Sequence, residues 1–209
     1  MFASFKAPGV CRGTQVLVSD APSGPFVPHS SGPVTPSDWE CLDGTLFVDQ
    51  DGNPWMIFCH EWVQVGDGEM CAVGLSRDLE TVQGDPLLLF RASEAPWTTP
   101  VDEKGSYVTD GPFLHRAENG TLLMLWSSFG PRGYALGMAT SKTGHVSGPW
   151  LQDPQALYDE DGGHGMLFRT FAGELTLAIH TPNTTPNERP VFIPVQERDG
   201  CLYLEGAVS

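Results

Sequence analysis

The chain has 209 residues, and 11 Lys+Arg set against 26 Asp+Glu give a formal net charge of −15. A surface this acidic excludes nucleic acid and anionic membrane as partners and favours a neutral or cationic one. The length suits one domain with a sizeable core, spanning 1–209, and 24 Gly and 18 Pro among many short apolar runs point to an all-β, turn-rich fold.

In chain order, the stretch from Ala3-Ser4-Phe5 to Gly24-Pro25-Phe26 parallels the one from Ser127-Ser128-Phe129 to Gly148-Pro149-Trp150. Residue 1 is therefore expected inside the second strand of a repeat. The next repeat opens at Asp43-Gly44-Thr45-Leu46-Phe47. Strands are predicted at Thr45–Val48, Pro54–Cys59, Met70–Ser76 and near Leu87–Phe90, with Asp49 and Asp51 capping the hairpin turn between the first two. A loop at Ala92–Ser106 separates it from the repeat of Asp110-Gly111-Pro112-Phe113-Leu114. Its strands are predicted at Pro112–His115, Thr121–Trp126 and Gly133–Thr140, with an outer strand near Leu157. A third opening, His164-Gly165-Met166-Leu167-Phe168, runs through Ala172-Gly173 into Leu175–Ile179. Repeats roughly fifty to seventy residues long, each a meander of short strands, predict a β-propeller. About three and a half blades are present, where closed propellers have about four to eight.

If Asp43, Asp110 and His164 hold one place in successive repeats, all three begin innermost strands and meet at the axis. The ends of the second strands, with His60, Glu61, Trp62 and Trp126, then stand one strand out, where side chains line a pocket. Trp62 or Trp126 offers a stacking face and His60 or Glu61 offers hydrogen bonds to hydroxyls; Trp126 also answers to blade-packing core. The five cysteines, Cys11, Cys41, Cys59, Cys71 and Cys201, are odd in number and without CxxC spacing, which reads as buried free thiols. No apolar run approaches the roughly 18–20 residues of a membrane span. The first residues lack the basic and apolar regions of an export signal, so a chain that truly starts at residue 1 is expected to be cytoplasmic.

Four segments taken together, Trp39 to Gly52, Thr109-Asp110-Gly111-Pro112, Gly162-Gly163-His164-Gly165 and Arg189 to Val195, resemble glycoside hydrolase family 43. The resemblance implies a five-bladed propeller that cleaves arabinose- or xylose-containing plant polysaccharides with inversion, by exo-acting removal of α-L-arabinofuranosyl or β-D-xylosyl units. By position, Asp43 matches the family's pKa-tuning Asp. Asp110 stands where the general acid precedes Gly-Pro, a place more often held by Glu. Arg189 matches an Arg that reaches toward the sugar. His164 matches a histidine near an axial calcium ion held largely through water. The family's general base has no match, because the blade carrying it would precede residue 1. The chain is thus expected to be N-terminally incomplete, and two further expectations follow. One is a catalytically impaired carbohydrate-binding remnant; the other is an association of copies that covers open blade edges.

Overall fold

Short apolar runs punctuated by Gly turns pair with their neighbours in the chain. In the computed structural model, which describes residues 1–205, they build four antiparallel meanders. The first sheet has three strands, β1 (Phe2–Ala7), β2 (Val10–Val18) and β3 (Val27–Pro33). The second has four, β4 (Cys41–Val48), β5 (Pro54–His60), β6 (Glu69–Leu75) and β7 (Val82–Arg91). The third comprises β8 (Asp110–Arg116), β9 (Leu122–Gly130), β10 (Gly133–Ser141) and β11 (Trp150–Gln152). The fourth comprises β12 (Gly163–Arg169), β13 (Leu175–Thr181), β14 (Arg189–Arg198) and β15 (Cys201–Leu204). One helical turn, α1 (Trp62–Val65), follows β5. This is a partial β-propeller, all-β as predicted.

The repeat parallel at the N-terminus is visible in the backbone. Gly24 (φ 81°) and Gly148 (φ 74°) both take the left-handed region before a Pro, and each leads into the last strand of its sheet. The strands β1, β2 and β3 therefore answer to β9, β10 and β11, and residue 1 lies at the second-strand position. The outer strand of the third sheet is Trp150–Gln152, not the neighbourhood of Leu157. Trp150 is buried and its indole N–H donates to the Val146 carbonyl at 2.9 Å. Leu157 and Tyr158 instead cross beside β10, where both backbone N–H groups donate to the Leu136 carbonyl.

Each apolar core lies between two sheets. Val16 of β2 packs with Met56, Phe58, Val73 and Leu75 of the second sheet. Ile57, Met70 and Phe90 pack with Met124, Trp126 and Ala135 between the second and third. Leu123, Leu125 and Leu136 pack with Leu167, Leu177 and Ile179 between the third and fourth. Alternate residues of β9 thus serve opposite interfaces, Leu122, Met124 and Trp126 on one side and Leu123 and Leu125 on the other. That is why the run is apolar without a polar face. All five cysteines are free thiols, with Cys41, Cys59 and Cys71 buried. Asp49 caps its hairpin turn, accepting from the N–H groups of Asp51 and Asn53 and from the Trp55 indole.

The loop after β7 is held down by Trp97, which lies across Gly137 of β10. A Cβ built on Gly137 would come within 2.0 Å of the Trp97 ring. Gly137→Ala is therefore expected to displace Trp97 and destabilise the fold by about 1–3 kcal/mol, the usual cost of overpacking. A thermal melt would read this as a lowered midpoint, and an unchanged midpoint would show that the loop is loosely seated.

Candidate active site

The inner strands β4, β8 and β12 each break register near their start. Between Leu42 and Thr45, Asp110 and Phe113, and Gly163 and Met166, two residues face one on the partner strand, the arrangement of a β-bulge. The first bulged residue has a left-handed backbone in all three: Asp43 (φ 57°), Gly111 (φ 50°) and His164 (φ 54°). The structural counterpart of Asp43 and His164 is therefore Gly111. Asp110 stands one residue earlier, level with Leu42 and Gly163, which corrects the expected three-way equivalence. Since neighbouring strand residues face opposite ways, the one-residue offset sends Asp110 to a different face.

Two cavities follow from the offset. Asp110, with Leu42, lines a cleft of about 540 Å³ at the top of the second and third sheets. Glu61, Trp62, Phe129 and Val101 complete its main walls. Asp43 and His164, with Gly111 between them, line a separate axial cavity of about 320 Å³. The two sites touch through the backbone, for the Gly111 N–H donates to Asp43 Oδ2 at 3.0 Å. Asp43 thus lies just behind Asp110, across one peptide unit.

This setting controls the Asp110 proton. Loss of hydration, followed by repulsion from the Asp43 carboxylate, pushes its pKa up to about 7. Glu61 adds repulsion, while the Tyr134 hydroxyl, donating to Asp110 Oδ2 at 3.0 Å, and the Arg12 charge pull the other way. Near pH 6 Asp110 is mostly a protonated carboxylic acid facing a cleft, which can give a proton to a bound oxygen. Glu61 is buried and its carboxyl is also raised by burial, though the Arg12 guanidinium at 2.7 Å opposes the shift.

Of the remaining predicted site residues, Trp62 and Glu61 line the cleft and the others do not. His60 is buried beneath Trp39, stacked at 4.2 Å, and its two ring nitrogens are taken by Glu69 and Gln64. Trp126 is fully buried between blades. The predicted sugar contacts of both are corrected: neither ring has a free face toward the cleft. Arg189 lies in another hollow of about 380 Å³, with His164 and His180. Its guanidinium is occupied by the carbonyls of Pro186 and Glu188. Sequence reading missed Arg12 and Tyr134. Tyr134 sits in the run Gly133-Tyr134-Ala135-Leu136, which reads as core, and Arg12 lies far from every motif, its role appearing only when β2 meets Glu61.

The axial residues do not fit a directly bound calcium. His164 Nδ1 is 3.9 Å from Asp43 Oδ2, an oxygen that already accepts from Gly111. Among the described residues, no cluster of three or more His, Cys, Asp and Glu could hold a metal ion. One imidazole and one carboxylate fall well short of the 6–8 oxygens calcium takes.

The profile described as Glycosyl hydrolases family 43 matches residues 1–201. A solved structure from Bacteroides thetaiotaomicron VPI-5482, described as an endo-arabinase, is 49% identical. It aligns over 95% of this chain and 71% of its own, with a TM-score of 0.91. A thermostable family-43 glycoside hydrolase is 22% identical over 99% of this chain and 70% of its own, with a TM-score of 0.82. An α-L-arabinofuranosidase from Lactobacillus brevis is 20% identical over 90% of this chain and 64% of its own, with a TM-score of 0.71. At those lower identities the likeness speaks for the fold. A search of curated proteins finds no match.

Proposed function

The chain belongs to glycosyl hydrolase family 43, and from that premise we propose that it cleaves α-L-arabinofuranosyl linkages in arabinose-containing polysaccharides. Asp110 serves as the general acid and Asp43 holds its proton in place. The observation that carries the reading is a carboxyl held up to about 7 inside a cleft, with a second carboxylate directly behind it. Hydrolysis with inversion needs a protonated carboxyl on the leaving oxygen and a base that activates water on the opposite face of the sugar. Asp110 supplies the first of these. Glu61, tied to Arg12, is assigned to hold sugar hydroxyls, and Trp62 offers a stacking face at the cleft wall. Arabinose is preferred over xylose because the 49%-identical structure is described as an endo-arabinase. The same likeness weighs against the exo-acting mode that the sequence resemblance implied.

The test is a panel of linear arabinan, β-1,4-xylan, and nitrophenyl α-L-arabinofuranoside and β-D-xyloside. A rapid fall in arabinan viscosity with little nitrophenol release would support internal cleavage of arabinan. Nitrophenol release without that fall would support the exo mode. Turnover confined to xylose-containing substrates would overturn the arabinan assignment.

A second reading is favoured by the Arg12–Glu61 ion pair. Apart from Asp110, Glu61 is the one carboxylate lining the described cleft, and Arg12 engages it at 2.7 Å. A cleft that binds sugar without a free base is a carbohydrate-binding remnant. Calorimetric titration with arabino-oligosaccharides separates the two readings, because saturable binding with no reducing-sugar release would favour the remnant.

Asp43→Asn provides a pH test of the acid assignment. Activity requires protonated Asp110, so it falls as the pH rises through that group's pKa. Removing the Asp43 charge removes a repulsion that raises it. The basic limb of kcat/KM is expected to move to lower pH by about one unit. A limb that stays in place would mean that another group carries the proton.

A further inference from the structure

Tyr134 is buried at the start of β10, and its hydroxyl is the one side-chain donor to Asp110 among the described residues. The ring is fixed on both sides, stacked on His180 at 5.5 Å and meeting Phe129 edge-on at 5.3 Å. Its backbone N–H is held by Asp161. On the adjoining strand β9, Ser127 is fully buried. Its Oγ accepts the backbone N–H of His164 at 2.8 Å, which ties β9 to β12.

The direction of the Tyr134–Asp110 bond is determined by chemistry. A phenol donates better than it accepts, because its oxygen lone pair is delocalised into the ring, and a carboxyl oxygen is a strong acceptor. The Tyr134 hydroxyl therefore donates to Asp110 Oδ2. A carboxyl oxygen that accepts this bond is a poor place for the acid proton, since two hydrogens would meet between the same pair of oxygens.

We propose that Tyr134 is a positioning residue for the acid: its hydroxyl bond reserves Oδ2 as an acceptor and leaves the transferable proton on Oδ1. The reaction then has one proton geometry. Oδ1–H is donated to the glycosidic oxygen as its bond to the anomeric carbon breaks, and Asp110 leaves the step as a carboxylate still held by Tyr134. The hydroxyl bond strengthens as charge develops on the carboxylate, so it assists proton release as well as aiming it. This inference rests on Asp110 acting as the acid.

Two measurements test it. Neutron diffraction from deuterium-exchanged crystals near pH 5 is expected to show deuterium on Asp110 Oδ1 and the Tyr134 deuterium directed at Oδ2. Deuterium on Oδ2, or a Tyr134 deuterium directed elsewhere, overturns the proposal whether or not the chain turns over. Kinetically, Tyr134→Phe is expected to lower kcat/KM about tenfold on arabino-oligosaccharides. It should change little on a dinitrophenyl arabinofuranoside, whose leaving group departs without protonation. Equal losses on both substrates would show a purely structural role and overturn the positioning. A wild-type chain inactive on every substrate would count against the hydrolase reading alone, because the diffraction result would still decide the proton's place.

Discussion

Asp110→Asn is expected to reduce turnover of arabinan by about 10²–10⁴-fold, the usual contribution of a positioned general acid. The amide keeps the side chain's shape, and its oxygen can still accept from Tyr134, so sugar affinity should change little. The same variant should gain stability at neutral pH. Asp110 has a folded-state pKa of about 7, above its ordinary value of 3.8. The folded chain therefore holds this proton more tightly than the unfolded chain does. The stability that Asp110 contributes is fully present below about pH 4 and is lost as the pH rises through about 7. Asparagine has no such loss. Melting midpoints of the two proteins should differ little at pH 4 and favour the variant at pH 8, so that an inactive protein is also the more stable one. A variant that loses activity and also melts earlier at pH 8 would mean that the carboxylate is stabilising, contrary to its placement beside Asp43.

The fold was largely legible because the chain states its turns in Gly and its strands in short apolar runs. Gly24-Pro25 and Gly148-Pro149 even marked equivalent corners of two sheets. The offset at Asp110 was harder, because Asp-Gly, Asp-Gly and His-Gly align by letter. The residue that resolves it is Pro112. Proline has no N–H for the ladder, so within a sheet it is confined to edge strands, strand starts and bulges, and on the edge strand β8 it takes the bulge. That equates Pro112 with Gly44 and Gly165, and Asp110 with Leu42 and Gly163. The physical signal was present, and it separates a carboxyl in the cleft from one at the axis. Tyr134 and Arg12 gave no such signal, since each acquires its role from a partner at least 24 residues away in the chain.

Trp126 shows the same limit from the other side, and its removal should cost the most stability. A tryptophan at the end of a second strand is equally plausible as a sugar platform or as core, and the neighbouring sheets decide between them. Its ring lies 4.8 Å from Trp97 and 5.2 Å from Phe90, with no exposed surface, and its indole N–H donates to Gln152 Oε1 at 3.0 Å. Trp126→Ala is expected to destabilise the fold by about 3–5 kcal/mol through the cavity it leaves. The variant also leaves the Gln152 oxygen without its donor, beside an amide nitrogen that already has no partner. Urea unfolding should show the midpoint falling while the slope stays constant. Were the ring a sugar platform, KM would rise and the midpoint would hold. The loss should still reach the active site by an indirect route. Trp97 rests on Trp126, and the following Thr99 ties the loop to the Phe129 carbonyl at 2.8 Å, so the cleft wall formed by Thr99 and Val101 is seated on this aromatic cluster. Any Trp126→Ala protein that still folds is therefore expected to bind sugar more weakly, with Trp126→Phe retaining both stability and binding to a greater degree.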